Sequence, residues 1–324
     1  MATSKSLTER SAEPRRAAAE PLIAIHDASR ALQIVVGTAI AWGLPERYWD
    51  GFAVSVSRLL VRLRHKFTAE RVHQLQRIFG DRLGDRDRRD LVARNLAHEL
   101  RAGLQRFREL SPIPWRPHIE VRGTAHIDAA LENGHGVILW VHNFAHSDHL
   151  VKKGLWQQGY RLHHLSRPSH GFRGSRFGQQ VLTPFWLRAE SRHLAERIVW
   201  HAHQSAAVSR RLSRRLKDNK VVSITVGHVA LKQFSLPFLE CRLMLALGPP
   251  HLALSTKATL LPVSAIRTAA GAYQVTVEPP LEMPPEGGRQ ERMEAAAAEL
   301  FRRLEPRALA EPEQYRYWRA RVDD

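Results

Sequence analysis

One stretch of the chain, residues 136–150, constrains the fold and the function more than any other. Val137 to Val141 is a run of five apolar residues, which has the length and the β-branched content of a fully buried strand. A polar cluster follows it at once, with three histidines, one Asn and one Asp within eight positions. The pattern therefore predicts a buried strand whose carboxyl end carries polar side chains.

The carboxyl end of a strand in an open α/β sheet is where ligands and catalytic groups collect, because the backbone leaves the sheet there. The cluster contains His142, Asn143, His146, Asp148 and His149. A hydroxyl nucleophile needs a histidine close to a carboxylate, since the histidine takes its proton and the carboxylate orients the ring. We interpret the cluster as a general-base site. The alternative is that these are solvated loop histidines in a chain that has 18 histidines.

Strands and helices alternate on both sides of this stretch, which predicts an α/β domain over residues 116–324. Its fold class is a mixed, largely parallel sheet flanked by helices, with residues 137–141 and 221–226 in the same sheet. Thr124 is predicted to cap one helix, and the arginines between positions 188 and 215 are predicted to lie on helices. Further strands are predicted at 118–122, 160–165, 220–226, 260–266 and 273–279, and helices at 123–132, 150–158 and 293–304.

The region before the α/β domain is predicted to be helical. Residues 1–20 have hardly any large apolar side chains and are predicted to be disordered, and residues 21–115 are predicted to form helices with a break near 80–84. Residues 31–44 are mostly apolar but too few to span a bilayer, and residues 48–66 start with aromatics and end with bases. That pairing is typical of an interfacial helix on anionic lipid. An amphipathic helix packed on its own domain is the alternative.

Composition narrows the class of partner. The formal net charge is +17 and the pI is near 10.9, which indicates attraction to an anionic surface such as acidic lipid, lipopolysaccharide, a phosphorylated substrate or nucleic acid. No nucleic-acid-binding module is recognisable, so we expect no nucleic-acid partner. The single cysteine, Cys241, excludes an internal disulfide and a cysteine-based zinc site. No P-loop pattern and no paired His-Glu zinc spacing occurs, so we expect no cofactor and no metal.

Five short motifs occur in order along the chain. They are Val121-Arg-Gly123 with Gly134-His-Gly136-Val-Ile-Leu139, Ser166-Arg167-Pro168, Leu236-Pro-Phe-Leu239, Leu260-Leu-Pro262-Val and Glu311-Pro-Glu-Gln-Tyr315. With these motifs the chain resembles the late acyltransferases of lipid A biosynthesis. These form the lauroyl/myristoyl branch of the lysophospholipid acyltransferase superfamily. The resemblance extends from about residue 30 to residue 324. The resemblance implies a glycerolipid-acyltransferase-like fold with an N-terminal helical, membrane-facing region.

The resemblance also implies an activity and a location. The chain is expected to move a fatty acyl chain from an acyl thioester, on acyl carrier protein or CoA, to a hydroxyl of a lipid A-type or other anionic (glyco)lipid. The acyl thioester is then a co-substrate and not a cofactor. The expected location is the inner membrane, with peripheral attachment on its cytoplasmic face.

The superfamily is recognised by a His followed after four residues by Asp or Glu, and this chain departs from that spacing. An alignment without gaps puts Asp148 at the acidic position and Asn143 at the histidine position. By the resemblance, His142 or His146 deprotonates the acceptor hydroxyl and Asp148 orients the imidazole, with His142 favoured. Arg167 would stabilise the oxyanion or the acceptor phosphate, and Asn143 would contact the substrate. The alternatives are an N-cap role for Asp148, a solvated Arg167, and a family member whose degenerate site binds lipid or acyl chains without transfer.

Overall fold

The computed structural model describes residues 25–84, 86–113, 115–166, 183–200, 204–227 and 233–323 of the chain. Within these residues the chain forms ten α-helices and nine strands. The helices are α1 (Ile25–Gly43), α2 (Trp49–Leu63), α3 (His65–Phe79), α4 (Arg88–Glu109), α5 (Thr124–Glu132), α6 (Ser147–Gln157), α7 (Thr183–Ser191), α8 (Ser205–Lys217), α9 (Gly248–Thr256) and α10 (Arg289–Ala310). The strands are β1 (His118–Arg122), β2 (Val137–Val141), β3 (Leu162–Ser166), β4 (Glu196–Val199), β5 (Val221–Thr225), β6 (Phe234–Phe238), β7 (Cys241–Leu245), β8 (Thr259–Ala269) and β9 (Ala272–Val277). Residues 1–20, which are predicted to be disordered, and Arg167 lie outside the described residues.

Seven of the described strands form one sheet in the order β1-β9-β8-β2-β5-β3-β4. The neighbours from β8 to β4 run parallel, whereas β8 and β9 are antiparallel. Strand β2 lies between β8 and β5, with Val137 opposite both Thr259 and Val221. The prediction of a mixed, largely parallel sheet that contains both 137–141 and 221–225 is therefore confirmed.

Helices cover both faces of this sheet, so β2 is buried at every position. Its side chains alternate between two apolar clusters, as the pleat of a strand requires. Ile138 and Trp140 pack in a cluster with residues of α8, α9 and α10. Leu139 and Val141 pack in a second cluster with residues of α5 and α6. We call these two sides of the sheet the α10 face and the α6 face.

The N-terminal helices pack around α4. Helix α1 lies against it closely, because the Trp42 indole N–H donates to the Phe107 carbonyl oxygen at 2.9 Å and Gly37 lies over the Phe107 ring. Helices α3 and α4 are separated at 80–87, which confirms the predicted break. In the part of the chain described here, no helix combines the length and the apolar character needed to cross a membrane.

Three local predictions were wrong. Gly123, and not Thr124, is the N-cap of α5. This position requires glycine, because residue 123 takes a φ of 78° and a Cβ there would lie 2.1 Å from the Val277 carbonyl oxygen. Arg192 lies in the turn after α7 and Arg197 lies in β4, so neither is on a helix. The motif Leu236–Leu239, which by the resemblance would be a loop, instead contributes to strand β6 of a two-stranded antiparallel hairpin with β7.

Candidate active site

Asp148 lies in the first turn of α6, where the helix dipole favours a negative charge. Its carboxylate accepts a short hydrogen bond from Arg316 and forms ion pairs with Arg319 at 3.3 Å and Arg106 at 3.4 Å. The Arg316 guanidinium also contacts Glu99 Oε1 at 2.5 Å and donates to the Ala145 carbonyl oxygen at 2.8 Å. The N-cap of α6 is His146, so Asp148 serves this ionic cluster instead of capping the helix.

The electrostatics of Asp148 follow from these neighbours. Burial by itself would raise the pKa of the Asp148 carboxyl, but Arg316, Arg319 and Arg106 hold it well below its usual range. The carboxylate is therefore ionised at neutral pH. Three arginines face two carboxylates, and the Arg106 and Arg319 side chains are 20% and 37% exposed. Guanidinium groups of the cluster therefore reach the protein surface, which suits an anionic ligand.

His142 lies on the other side of the sheet. Its backbone N–H donates to the Val263 carbonyl oxygen at 2.8 Å, so the ladder of β2 continues through residue 142 and the side chain falls on the α10 face, as Trp140 does. The ring is 0% exposed, and its nearest ionisable partner is Glu278, with Nε2 and Oε1 3.9 Å apart. Neither ring nitrogen has a hydrogen-bond partner among the described residues. Burial, with Arg307 adding to it, lowers the pKa of His142 to about 3.

Asp148 belongs to α6, whose apolar residues pack on the α6 face. His142 and Asp148 therefore lie on opposite faces of the sheet. Within the described residues, no hydrogen bond or ion pair joins the two side chains. His142 is one residue further from Asp148 than the family's spacing requires. No bulge before residue 142 compensates for this shift, so the His142 side chain lies on the face opposite to Asp148.

His146 is buried in a hydrogen-bonded chain between α4 and the sheet. Its Nδ1 lies 3.2 Å from Gln105 Oε1 and its Nε2 lies 3.0 Å from His98 Nδ1, while Gln105 donates to the Tyr273 hydroxyl at 2.7 Å. Because an amide oxygen only accepts, Nδ1 of His146 carries the proton and Nε2 accepts from His98. Burial, with His98 adding to it, lowers the pKa of His146 well below its usual range. Both nitrogens of this neutral ring are engaged.

Asn143 holds three segments together at the edge of the sheet. Its side-chain amide donates to the Val226 carbonyl oxygen at 3.0 Å, just beyond β5. Its own carbonyl oxygen accepts from the Arg316 backbone N–H at 2.8 Å. The amide is partly exposed, so a substrate group can still reach it. Arg167, the remaining predicted site residue, lies outside the described residues.

The sequence analysis missed a histidine that lies on the same face as Asp148. His164 of β3 and Ser223 of β5 are opposite each other in the parallel ladder, and His164 Nδ1 lies 2.9 Å from Ser223 Oγ. Together with Asp148, Lys152 and Thr225 they line a narrow crevice under the start of α6. The signal was present in the sequence, because Leu162, His164 and Ser166 alternate with the period of a strand, which places both polar residues on the face that buries Leu162.

A second cluster has the composition of a metal site. Ligand atoms of Glu109, His149 and His193 all lie within 4.8 Å of one another. However, the Lys153 ammonium donates to both carboxylate oxygens of Glu109 at 2.9 and 3.0 Å, which puts a positive charge where a cation would bind. Burial would raise the pKa of Glu109, yet hydrogen bonds from His149, His193 and Lys153 hold it well below its usual range. We interpret the cluster as a buried ionic tie between α4, α6 and the segment after α7.

Comparison with known proteins adds one match. Residues 25–322 match the family model described as bacterial lipid A biosynthesis acyltransferase. The match includes every helix and strand described above, from α1 to the segment that carries Arg316. No curated protein matches the chain.

Proposed function

The chain belongs to the bacterial lipid A biosynthesis acyltransferase family, and on that premise we propose the donor and the acceptor of the acyl group that it transfers. The proposed donor is an acyl thioester on acyl carrier protein or CoA. The proposed acceptor is a hydroxyl group of a lipid A-type or other anionic (glyco)lipid. The observation that carries this proposal is Asp148, an ionised carboxylate at the carboxyl edge of the central strands, surrounded by arginines.

The arginines support an anionic acceptor. Arg106 and Arg319 are partly exposed beside Asp148, and guanidinium groups bind phosphate with two parallel hydrogen bonds. A phosphorylated glycolipid held there brings its hydroxyl groups close to the crevice that Asp148 lines. In this proposal Asp148 stabilises the imidazolium that forms when a histidine takes the hydroxyl proton, and Arg167 remains the proposed oxyanion ligand. His142 and His146 remain the bases predicted from the sequence.

The surface of α1 and α2 supports attachment to a membrane. Leu32, Val35 and Val36 of α1 are 63%, 64% and 46% exposed, and they lie on one side of the helix. Leu59 and Leu63 of α2 are 54% and 67% exposed, and the exposed arginines at 58 and 62 lie beside them. An apolar surface next to cationic side chains suits the headgroup region of anionic lipid. We propose peripheral attachment to the cytoplasmic face of the inner membrane through residues 31–66.

One observation favours a second function. Asn143 stands where the family's histidine is expected, and its amide is already hydrogen-bonded to the Val226 carbonyl oxygen. An amide cannot take a proton from a hydroxyl group at neutral pH. A chain without a competent base would bind acyl chains or lipid without transfer.

The experiment that separates the two functions is a transfer assay. Labelled acyl thioesters of several chain lengths, on acyl carrier protein and on CoA, are incubated with the intact protein and a panel of lipid acceptors. Ester formation on an anionic glycolipid supports the acyltransferase. Retention of labelled acyl chain without ester formation supports the binding protein, and neither ester nor binding refutes both.

A further inference from the structure

A transfer reaction at Asp148 needs a base on the α6 face. His142 is on the α10 face, both ring nitrogens of His146 are engaged, and Asn143 cannot accept a proton. The base must have a bare ring nitrogen, a fixed orientation and a position in the lining of the crevice that Asp148 lines. His164 meets these three conditions, although the crevice as it stands is too narrow to hold a water molecule, so the acceptor has to widen it on binding.

The sheet places His164 beside Asp148. Leu162, His164 and Ser166 alternate on the α6 face of β3, and helix α6 covers them. Among the described residues, His164 is the only histidine that lines the crevice shared by Asp148, Lys152 and Ser223. Its side chain is 7% exposed, compared with 0% for His142.

Two partners hold the ring. Ser223 Oγ lies 2.9 Å from Nδ1, and Glu190 Oε1 lies 3.6 Å from Nε2. When Nδ1–H donates to Ser223, Nε2 is left with a free lone pair. Glu190 is then placed to stabilise positive charge on the ring, and it is itself fixed by Lys152 at 2.9 Å and Arg197 at 3.1 Å. Ser223 therefore orients the ring through Nδ1, and Glu190 lies on the Nε2 side, where it can stabilise the imidazolium.

The ring is also in the correct charge state. Burial, with Lys152 adding to it, lowers the pKa of His164 to about 3, while Glu190 and Asp148 act in the opposite direction. The imidazole is neutral at pH 7, so its lone pair is available. A substrate that brings the acceptor hydroxyl to Nε2 meets a neutral ring with two carboxylates nearby.

We propose that His164 is the general base of acyl transfer in this chain, an inference that rests on the proposed function. The acceptor hydroxyl gives its proton to Nε2, and its oxygen forms a bond to the carbonyl carbon of the thioester. The tetrahedral intermediate then collapses with cleavage of the carbon–sulfur bond. The thiolate takes the proton back from the imidazolium, which yields an ester and a free thiol.

The test compares His164→Ala and His164→Gln with a matched control, His163→Ala. His163 is the neighbouring residue on the opposite face and has its own carboxylate partner, Glu196, at 2.7 Å. Both changes at position 164 should lower the transfer rate by about 10²-fold or more, whereas the control should stay close to the wild type. A purely structural role would be restored by Gln, whose amide can still bond to Ser223. Added imidazole should restore part of the rate in His164→Ala.

The outcomes separate this inference from the function on which it rests. Transfer by the wild type together with full activity of folded His164→Gln overturns the role of His164 and leaves the acyltransferase intact. Loss in His142→Ala or His146→Ala alone has the same meaning and assigns the base to a residue predicted from the sequence. No transfer by the wild type from any donor overturns both. Loss of transfer at position 164 without rescue by imidazole also overturns the role of His164 as the base.

Discussion

Arg316 is the side chain on which the Asp148 cluster depends, and replacing it with methionine tests that dependence. The guanidinium is 1% exposed and bridges Asp148, Glu99 and the Ala145 carbonyl oxygen. Arg316→Met keeps much of the apolar volume but leaves two carboxylates without their shared partner. Removing one member of a buried ion pair costs about 3–5 kcal/mol, because the remaining charge is left uncompensated.

The structure puts the expected loss near the lower end of that range. Asp148 keeps Arg319 and Arg106, and the Glu99 and Asp148 side chains are 18% and 23% exposed, so water compensates part of the charge. We therefore expect a loss of about 3 kcal/mol, which for a chain of this length corresponds to a fall of about 5 °C in the midpoint of thermal unfolding. Arg319 contacts the same carboxylate but is 37% exposed, so Arg319→Met should cost less than about 1 kcal/mol.

Thermal unfolding followed by circular dichroism at several pH values measures both variants. The folded pKa of Asp148 is depressed, so its contribution is present above the unfolded value of 3.8 and is lost as the pH falls through the folded value. The gap between wild type and Arg316→Met should therefore be the same at pH 5.5 and pH 7.5. An unfolding midpoint of Arg316→Met within about 1 °C of the wild type, or an equal loss in Arg319→Met, would refute the reasoning.

Three further predictions concern packing, membrane contact and acid stability. A Cβ at Gly37 would lie 2.5 Å from the Phe107 ring, so Gly37→Ala should lower the free energy of unfolding by about 1–3 kcal/mol in urea titrations, although helix propensity alone predicts a gain. Leu32→Asp with Val35→Asp should reduce sedimentation with anionic vesicles, whereas Ala206→Asp on the exposed side of α8 should not; equal binding by both variants contradicts the membrane assignment. The folded protein lowers the pKa of five buried histidines below 6.5, namely His98, His142, His146, His149 and His164. Unfolding therefore takes up protons, and the free energy of unfolding should fall as the pH is lowered from about 6.5 towards 4. A free energy of unfolding that does not change over this range would contradict their burial as neutral rings.

Much of the fold could be predicted because the central strands are buried on both faces. The apolar runs at 137–141 and 221–225 are uninterrupted, and such runs predict buried parallel strands. Strand β4 was missed because Ile198 is its single fully buried residue, and Glu196 and Arg197 resemble a surface segment. Hairpin β6–β7 was missed because Pro237 indicates a turn unless the strand lies at an edge.

The candidate site could be predicted in part, and the limit is a matter of side-chain direction. The position of Asp148 at the strand edge follows from the sequence, since the buried run ends at Val141 and a helix begins soon after. The sequence did not show whether a bulge precedes His142 at the end of the strand, and that decides which face His142 takes. The Val263 carbonyl accepts the His142 backbone N–H, so the ladder continues and the ring goes to the α10 face. His164 was missed because it is distant in sequence from Asp148 and comes close only through the pairing of β3 with β5.

The most direct test of the account is the rate of acyl transfer by folded Asp148→Asn, measured beside the wild type and the control variant His163→Ala. The substitution removes one negative charge beside the crevice while keeping the size of the side chain, and circular dichroism confirms that the variant is folded. We predict transfer of labelled acyl chain to an anionic glycolipid by the wild type and by His163→Ala, and a loss of about 10²-fold or more in Asp148→Asn. Wild-type rates in folded Asp148→Asn would contradict the account, because the carboxylate at the strand edge would then take no part in the reaction.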